Sequence, residues 1–309
     1  MIEFHRLILG DTIRNDAFVK ALKQVIVPGK TVIADIGSGT GFLSFVASRL
    51  GAKECHLYEF ADLLPLSRKI ADANGIKNCY FYHKHSTEVR QPVKADVVLS
   101  ETLGNYALEE NILETLRDAR RFLKPGGVMI PQKLWQYVCP VINDRLYREL
   151  NVWDELRHSH TIDFAPAKEM CFQNMYVKTI PPGELLKSSE AVQQWDTIDF
   201  REENNSIRKA DTAWKVSQEQ TIFGFALWWD CELLPGITLS TNPAKPKTHW
   251  EQIFLPLPEP VMMPKDGGIR LHLHSDTQYE VKVRVKWEVE VRNGSGKVVA
   301  KMRGDTRRG

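Results

Sequence analysis

The segment from Thr31 to Gly41 constrains the fold of this chain most strongly. It consists of a short apolar run followed by a turn with glycine at positions 37, 39 and 41. A helix pattern follows from Thr40 to Leu50, and Gly51 is the residue expected to end it. Strand, glycine turn and helix predict the start of a βαβ unit, in which backbone N–H groups face a nucleotide-type ligand.

Two features of this turn favour a nucleoside cofactor that lacks a pyrophosphate. Phe42 stands where the dinucleotide fingerprint has its third glycine, and Asp35 beneath the turn would repel a pyrophosphate but suits an amino group. Glu59 ends the next apolar strand, at the position of an acid that binds both ribose hydroxyls. The alternative is a tight turn that simply needs small residues.

Two glutamates flank a loop farther along the chain. Residues 96–99 form an apolar run typical of a buried parallel strand, and a helical stripe extends from Leu108 to Leu123. Glu101 is therefore expected to end a strand and Glu110 to begin a helix, so that both converge at the carboxyl edge of the sheet. Two carboxylates in one pocket suit a planar guanidinium cation. Alternatively, Glu110 only favours the helix N-terminus and Glu101 is a solvated strand end.

Four motifs, in order along the chain, resemble those of the protein arginine N-methyltransferases, a family of class I S-adenosylmethionine-dependent methyltransferases. They are Leu9–Arg14, Val32–Ser44, Ser100–Glu110 and Thr248–Trp250. The resemblance covers about residues 5–292. It implies an enzyme that moves a methyl group from S-adenosylmethionine to a guanidino nitrogen of arginine in a protein. Free arginine or a small guanidino compound is an alternative substrate, and a catalytically silent cofactor-binding or regulatory partner is an alternative of another class.

The resemblance also implies roles for the residues that match the family's motifs around the cofactor. Arg14 would bind the cofactor carboxylate, Glu59 would bind the ribose, and Thr87 or Glu88 would lie beside the adenine. The backbone would approach the cofactor at the turn, which consists of Asp35, Gly37, Gly39 and Gly41.

On the substrate side, the resemblance implies that Glu101 and Glu110 hold the guanidinium, with Trp250 also at the substrate. His249 would face Asp11 across the mouth of the site as a structural or proton-relaying pair.

The sequence departs from the family pattern close to these residues. Thr102-Leu103 replaces a Trp-Met pair, Asn105 replaces a tyrosine, and methionines near the cofactor methyl are replaced by Ile8 and Ile112. The tyrosine-bearing helix that usually covers the cofactor is not expected before residue 5.

The pattern of secondary structure divides the chain near Pro131. Residues 1–131 alternate strands with helices, which predicts a Rossmann-like α/β domain that includes an N-terminal helix at 8–26. Residues 132–309 predict a β-rich, barrel-like domain. Its expected strands are 221–233, 268–274 and 279–292, the last followed by a turn at 293–296. The C-terminal residues 303–309 are expected to fray.

Residues 146–195 interrupt the β pattern with mixed, partly helical sequence. In the family that the chain resembles, an arm from this region docks on a second subunit, which implies a homodimer. The alternative is a surface insertion.

Composition excludes several classes of function. Lys plus Arg number 41 and Asp plus Glu 39, so the net charge of +2 gives no strong attraction to nucleic acid or to an anionic membrane. No apolar run is long enough for a transmembrane helix, and the first residues are not those of a signal peptide. Five scattered cysteines and nine histidines show no metal-ligand spacing. These features predict a cytoplasmic protein with no metal.

Overall fold

The computed structural model describes residues 2–278 and 283–309. The first half of the chain consists of α1 (Ile2–Gly10), α2 (Thr12–Val25), β1 (Val32–Ile36), α3 (Phe42–Arg49), β2 (Glu54–Glu59), α4 (Leu64–Ala73), β3 (Cys79–His83), β4 (Ala95–Ser100), α5 (Ile112–Ala119) and β5 (Leu123–Ile130).

The five strands form a parallel sheet in the order β3-β2-β1-β4-β5. All five residues of β1 are buried, as expected for a parallel strand covered on both faces. The predicted α/β domain is therefore confirmed. Strand β5 lies at the edge of the sheet and begins at Leu123, where it pairs with Ala95 of β4.

The prediction of one helix at 8–26 is wrong. The chain forms α1 and α2 instead, with a break at Asp11. The Asp11 side chain accepts a hydrogen bond from the backbone N–H of Arg14 at 2.9 Å, which makes it the N-cap of α2. This break allows α1 to turn across the carboxyl edge of the sheet.

The prediction of a helix from Leu108 to Leu123 is also wrong at both ends. Helix α5 begins at Ile112, after Asn111 in a left-handed conformation with φ of 54°, and a 3₁₀ turn at Arg120–Phe122 follows it. Glu110 therefore lies in the loop between β4 and α5, not in the helix.

The second half of the chain consists of β6 (Lys133–Val141), α6 (Arg145–Leu150), α7 (Trp153–His160), α8 (Ala165–Cys171), β7 (Tyr176–Lys178), β8 (Gln193–Asp199), β9 (Ile207–Lys215), β10 (Gln220–Leu234), β11 (Ile237–Ser240), β12 (Gln252–Met263), β13 (Gly268–Asp276), β14 (Arg284–Arg292) and β15 (Val298–Asp305). The chain leaves the parallel sheet after Ile130 and enters an antiparallel one at Lys133.

This half is β-rich, as predicted, and contains two antiparallel sheets. One has the order β7-β12-β10-β6-β8, with β11 paired to β10, and the other has the order β15-β14-β13-β9. The sheets share one core, in which Trp214 of β9 contacts Phe225 of β10 at 5.5 Å between ring centroids. The three short helices α6 to α8 form the helical part of the predicted insertion at 146–195, whereas the later residues of that range enter β7 and β8 of the first sheet.

The C-terminal end of the chain differs from the prediction of a frayed tail. Residues 298–305 form β15, which pairs with β14, and Arg284 Nε donates to Asp305 Oδ1 at 2.9 Å. The predicted alternation is present in β14, although residues 279–282 at the start of that predicted strand lie outside the described residues. Among the described residues, no helix has the length and apolarity needed to cross a membrane.

Candidate active site

A cavity of about 300 Å³ lies where β1, β2 and β4 end. Its walls are formed by the glycine turn after β1, the loop after β4, and the inner side of α1. This is the carboxyl edge of a parallel sheet, where open α/β folds bind their ligands. The predicted residues that line it are Arg14, Asp35, Gly37, Gly39, Glu59, Glu101, Glu110 and His249.

The glycine turn needs glycine for both conformation and space. Gly37 and Gly41 have φ of +73° and +85°, which side-chain-bearing residues rarely adopt. A Cβ atom at Gly37 would lie 2.9 Å from Thr102 Cγ2. Glu59 holds the turn from below, since its carboxylate accepts the backbone N–H groups of Gly39 and Ala61, each at 2.6 Å.

Asp35 lies beneath the turn and is 2% exposed. Burial raises the pKa of Asp35 to about 7, and the negative charge of Glu59 adds to this shift, whereas a hydrogen bond of 2.7 Å from Ser44 Oγ opposes it. The cavity therefore has a buried acid that a nearby cation would ionise.

Arg14 and Glu101 form the main ion pair of the cavity. Arg14 Nε donates to Glu101 Oε2 at 2.8 Å, Arg14 Nη2 contacts the same oxygen, and both side chains are less than a tenth exposed. The sequence predicted Arg14 for a cofactor carboxylate and Glu101 for a substrate guanidinium. In the structure, these two side chains form an ion pair with each other instead.

Glu110 is the second carboxylate of the cavity, and its exposed surface faces the open space. The surrounding protein partly desolvates Glu110 and raises its pKa to about 7, and the nearby charges of Glu101, Glu109 and Glu59 contribute in the same direction. An acid in this state would gain from the arrival of a positively charged group.

Asp11 and His249 join the N-terminal helices to the second half of the chain. Asp11 Oδ2 lies 2.8 Å from His249 Nδ1 and accepts the His249 backbone N–H at 2.7 Å. Burial would raise the pKa of Asp11, but hydrogen bonds from Arg14 and His249 lower it overall. Burial lowers the pKa of His249, against the influence of Asp11. Only His249 of the pair lines the cavity.

The loop that carries the two glutamates is held by the β-rich half. Trp250 Nε1 donates to the Leu103 carbonyl at 2.7 Å, and Trp229 Nε1 donates to the Gly104 carbonyl at 3.1 Å. The side-chain oxygen of Asn105 accepts the backbone N–H of Glu251 at 2.8 Å. Trp250 is 4% exposed and does not line the cavity, so the structure places it behind the loop rather than at the substrate.

Thr87 and Glu88 also fall outside the cavity lining. Glu88 Oε2 accepts the backbone N–H of His85 at 2.9 Å, and Thr87 Oγ1 lies 2.7 Å from His85 Nδ1. These contacts cap a short 3₁₀ turn, which accounts for the direction of both side chains. The structure thus does not bring them to the place where the sequence predicted an adenine.

Sequence reasoning missed the contribution of α1. Phe4, His5, Ile8 and Leu9 line the cavity, and a Cβ atom at Gly39 would lie 3.0 Å from His5 Cε1. The spacing of these four residues is that of one helix face, so the 3.6-residue period was the available signal. Helix α1 thus covers the place where no lid was expected.

The residues 2–278 and 283–309 contain no group of three side chains suited to hold a metal ion.

Comparisons with known proteins identify the family of this chain. The family model described as "Arginine methyltransferase oligomerization subdomain" matches residues 136–292, and the model "Ribosomal protein L11 methyltransferase (PrmA)" matches residues 16–152. The chain is 28% identical to probable protein arginine N-methyltransferase 6.1 of Oryza sativa subsp. indica, covering 86% of the chain and 79% of that protein. It is 29% identical to protein arginine N-methyltransferase 1 of Dictyostelium discoideum, covering 81% of the chain and 75% of that protein.

Solved structures show the same fold. Arabidopsis thaliana protein arginine methyltransferase 10 superposes with a TM-score of 0.81 at 20% identity, covering 99% of this chain and 98% of that one. The Trypanosoma brucei PRMT1 enzyme–prozyme complex with AdoHcy superposes with a TM-score of 0.83 at 21% identity, covering 98% of this chain and 97% of that one. Because the first family model matches residues 136–292, which is half of the chain, the chain belongs to the protein arginine N-methyltransferase family.

Proposed function

We propose that this protein transfers a methyl group from S-adenosylmethionine to a guanidino nitrogen of arginine in a protein. The observation that carries the proposal is the Arg14–Glu101 pair, since a guanidinium already rests on one of the two carboxylates that the function requires. Glu110 lines the same cavity, close enough for the charge of Glu101 to help raise its pKa.

The residues of the cavity fit S-adenosylmethionine. Gly37 and Gly39 of the turn line the cavity, and a residue without a side chain lets a ligand approach the backbone there. Glu59 keeps lone pairs for ribose hydroxyls beyond the two N–H groups it accepts. The acids around the cavity favour a ligand with an ammonium and a sulfonium, and Arg14 suits its carboxylate. When bound, this cofactor supplies an electrophilic methyl group.

The protein's own contribution is to hold and polarise the guanidinium. Free guanidinium has a pKa far above neutral pH, so it stays protonated, and its resonance leaves no good nucleophile. Glu101 and Glu110 would hold the positive charge on the nitrogens they contact and leave the remaining nitrogen aimed at the methyl group. Orientation of this kind contributes at most about 7–11 kcal/mol. Glu110, with a pKa of about 7, is suited to take the proton that the methylated nitrogen releases.

Arg14 has to leave Glu101 before a substrate can bind there. The cofactor carboxylate would give Arg14 a new partner, so cofactor binding would free the Glu101 carboxylate for the substrate.

Incubation with labelled S-adenosylmethionine tests the function directly. We expect label in an Arg-Gly-rich peptide, in the arginine side chain, and none in the matched peptide with lysine at each arginine. Label in free arginine but not in the peptide would favour the small-molecule substrate. No transfer to either, with the cofactor bound, would favour a silent partner and contradict the proposal.

The ribose role of Glu59 gives a second prediction. Glu59→Ala should weaken binding of S-adenosylhomocysteine by about 1.5–3 kcal/mol, because hydrogen bonds to an ionised group are lost. Glu88→Ala is the matched control, since Glu88 lies outside the cavity and should leave affinity unchanged. Isothermal titration calorimetry measures both. Equal affinity of the wild type and Glu59→Ala for S-adenosylhomocysteine would contradict a role of Glu59 in binding the ribose.

We also propose that residues 146–195 form a dimerisation arm. The family model that covers this region is named for oligomerization. Helices α7 and α8 contain no buried residue, and apolar side chains around them are about half exposed, namely Val152, Ile162 and Met170. Such a surface needs a partner.

The arm gives a third prediction. Light scattering of the intact protein should report twice the chain mass of 35.4 kDa, and Ile162→Asp/Met170→Asp should report a single chain, because an unpaired charge would be buried in the interface. Val299→Asp is the control, since Val299 on β15 is 55% exposed but outside the arm. A monomeric wild type at micromolar concentration would contradict the dimer.

A cytoplasmic location is proposed with the function. It is supported by the five cysteines, none of which forms a disulfide in the described structure.

A further inference from the structure

A second cavity, of about 730 Å³, lies on the four-stranded sheet and shares no lining residue with the candidate active site. It is formed by side chains of β9, β13, β14 and β15, with Gln173 and Arg308 at its margin. Its volume is within the range of small-molecule sites, about 300–1,000 Å³.

Strand pairing places three basic side chains in one row across this cavity. Lys209 of β9 is opposite His274 of β13, and His274 is opposite Lys286 of β14. All three line the cavity. Because neighbouring strands are about 4.8 Å apart, the two lysines start about 10 Å from each other with the imidazole between them. Basic groups gathered in this way repel each other unless an anion lies among them.

The acids of the cavity are mostly neutralised by other arginines. Arg270 Nε donates to Asp211 at 2.6 Å, and Arg284 contacts both carboxylate oxygens of Asp305, which is opposite Lys286. Glu288 is opposite Arg303.

This pairing leaves an excess of positive charge. Within residues 2–278 and 283–309, the side chains of Lys209 and Lys286 have no hydrogen bond or ion pair within contact distance, although the charge of Asp305 acts on Lys286. Arg308 also lines the cavity and adds a further cation.

An unsatisfied polar atom lies in the same row. His274 Nδ1 is buried and has no hydrogen-bond partner among the residues that the structure describes. A buried polar atom without a partner is costly, and a rotation of the His274 ring toward the cavity would let a ligand satisfy this atom.

We propose that this cavity binds a phosphate group, held by Lys209, Lys286 and His274. A phosphate has enough charge and enough oxygen acceptors to bridge the two lysines and the imidazole at once, which a single carboxylate does less well. The group could belong to inorganic phosphate or pyrophosphate, or to a small organic phosphate ester.

Calorimetry with pyrophosphate and with phenyl phosphate tests the proposal on the full chain. We expect the wild type to bind at least one of them, and Lys209→Gln/Lys286→Gln to raise its Kd about tenfold or more. Tighter binding of phenyl phosphate would assign an organic ester, and tighter binding of pyrophosphate would assign the inorganic ion. Lys301→Gln is the matched control, because Lys301 lies on β15 outside the cavity, paired with Glu290.

Three outcomes would overturn the phosphate site. They are no binding of either probe by the wild type at about 10 mM, equal affinity in the double variant, and an equal loss in Lys301→Gln. Thermal unfolding of each variant without ligand shows whether the fold is kept. If the double variant is unfolded, Lys209→Arg/Lys286→Arg replaces it, and this variant should bind the probe like the wild type. Methyl transfer by the double variant should match the wild type, so this test is independent of the proposed enzymatic function.

Discussion

Glu101→Gln and Glu110→Gln are each expected to lower kcat/KM for an arginine peptide by at least about 10²-fold, or roughly 2.7 kcal/mol. Either change keeps the shape of the side chain but removes a charge that holds the guanidinium. Affinity for S-adenosylhomocysteine should stay near that of the wild type for Glu110→Gln. The double variant should lose much less than the sum of the two losses, since both residues act on one group.

Glu109→Gln provides the matched control for this pair. Glu109 is next to Glu110 in the same loop, but its carboxylate accepts the backbone N–H of Tyr106 at 3.3 Å and does not line the cavity. Its replacement should change kcat/KM little. A Glu101→Gln enzyme that methylates arginine at the wild-type rate would overturn the proposed role of the carboxylates, whatever the glycine turn binds.

The pKa of Glu110 predicts a steep acid limb in the pH profile. This pKa is raised from 4.5 to about 7, chiefly because the surrounding protein partly desolvates the carboxyl group, so Glu110 is mostly protonated below pH 7 and holds a cation less well there. At limiting concentrations of both substrates, where the rate reports the free enzyme, activity should fall tenfold per pH unit below about 7. At pH 5 it should be about 10²-fold below its plateau.

Two variants show which residue causes the loss of activity at low pH. Asp35 has a similar pKa of about 7, so Asp35→Asn should keep the limb, whereas the residual activity of Glu110→Gln should lack it. A wild-type profile that is flat between pH 5 and 8 would contradict the shifted pKa.

The free energy of unfolding should decrease as the pH rises, whereas the activity should increase. The folded protein raises the pKa values of Asp35 and Glu110 to about 7. The stability that the protonated acids contribute is therefore fully present below their unfolded-state pKa values, and it is lost as the pH rises through about 7.

The sequence predicted the parallel sheet and the glycine turn because both depend on local patterns. An apolar run such as 32–36 is buried on both faces in any packing of this type, and positive φ at Gly37 is a property of the turn itself. The alternation of β14 was likewise visible, since one face of an antiparallel strand must be apolar.

Boundaries and side-chain directions were less predictable. The apolar stripe before Ile112 resembled helix, but Leu108 and Glu110 belong to a loop whose carbonyls accept hydrogen bonds from Trp229 and Trp250. Glu88 caps its own turn instead of facing the cavity, a choice that depends on the local position of His85. The contacts of Trp229 and Trp250 join distant parts of the chain and cannot be read from residue order.

The sequence by itself therefore determined the family, the α/β and β-rich halves, and most of the charged residues around the cavity, because motif spacing and hydrophobic periodicity are local properties of the chain. Only the tertiary structure decided that Arg14 rests on Glu101, that Trp250 supports the loop rather than the substrate, and that α1 covers the site. These contacts join residues far apart in the chain, and they depend on how the break at Asp11 and the β-rich half pack against the edge of the parallel sheet.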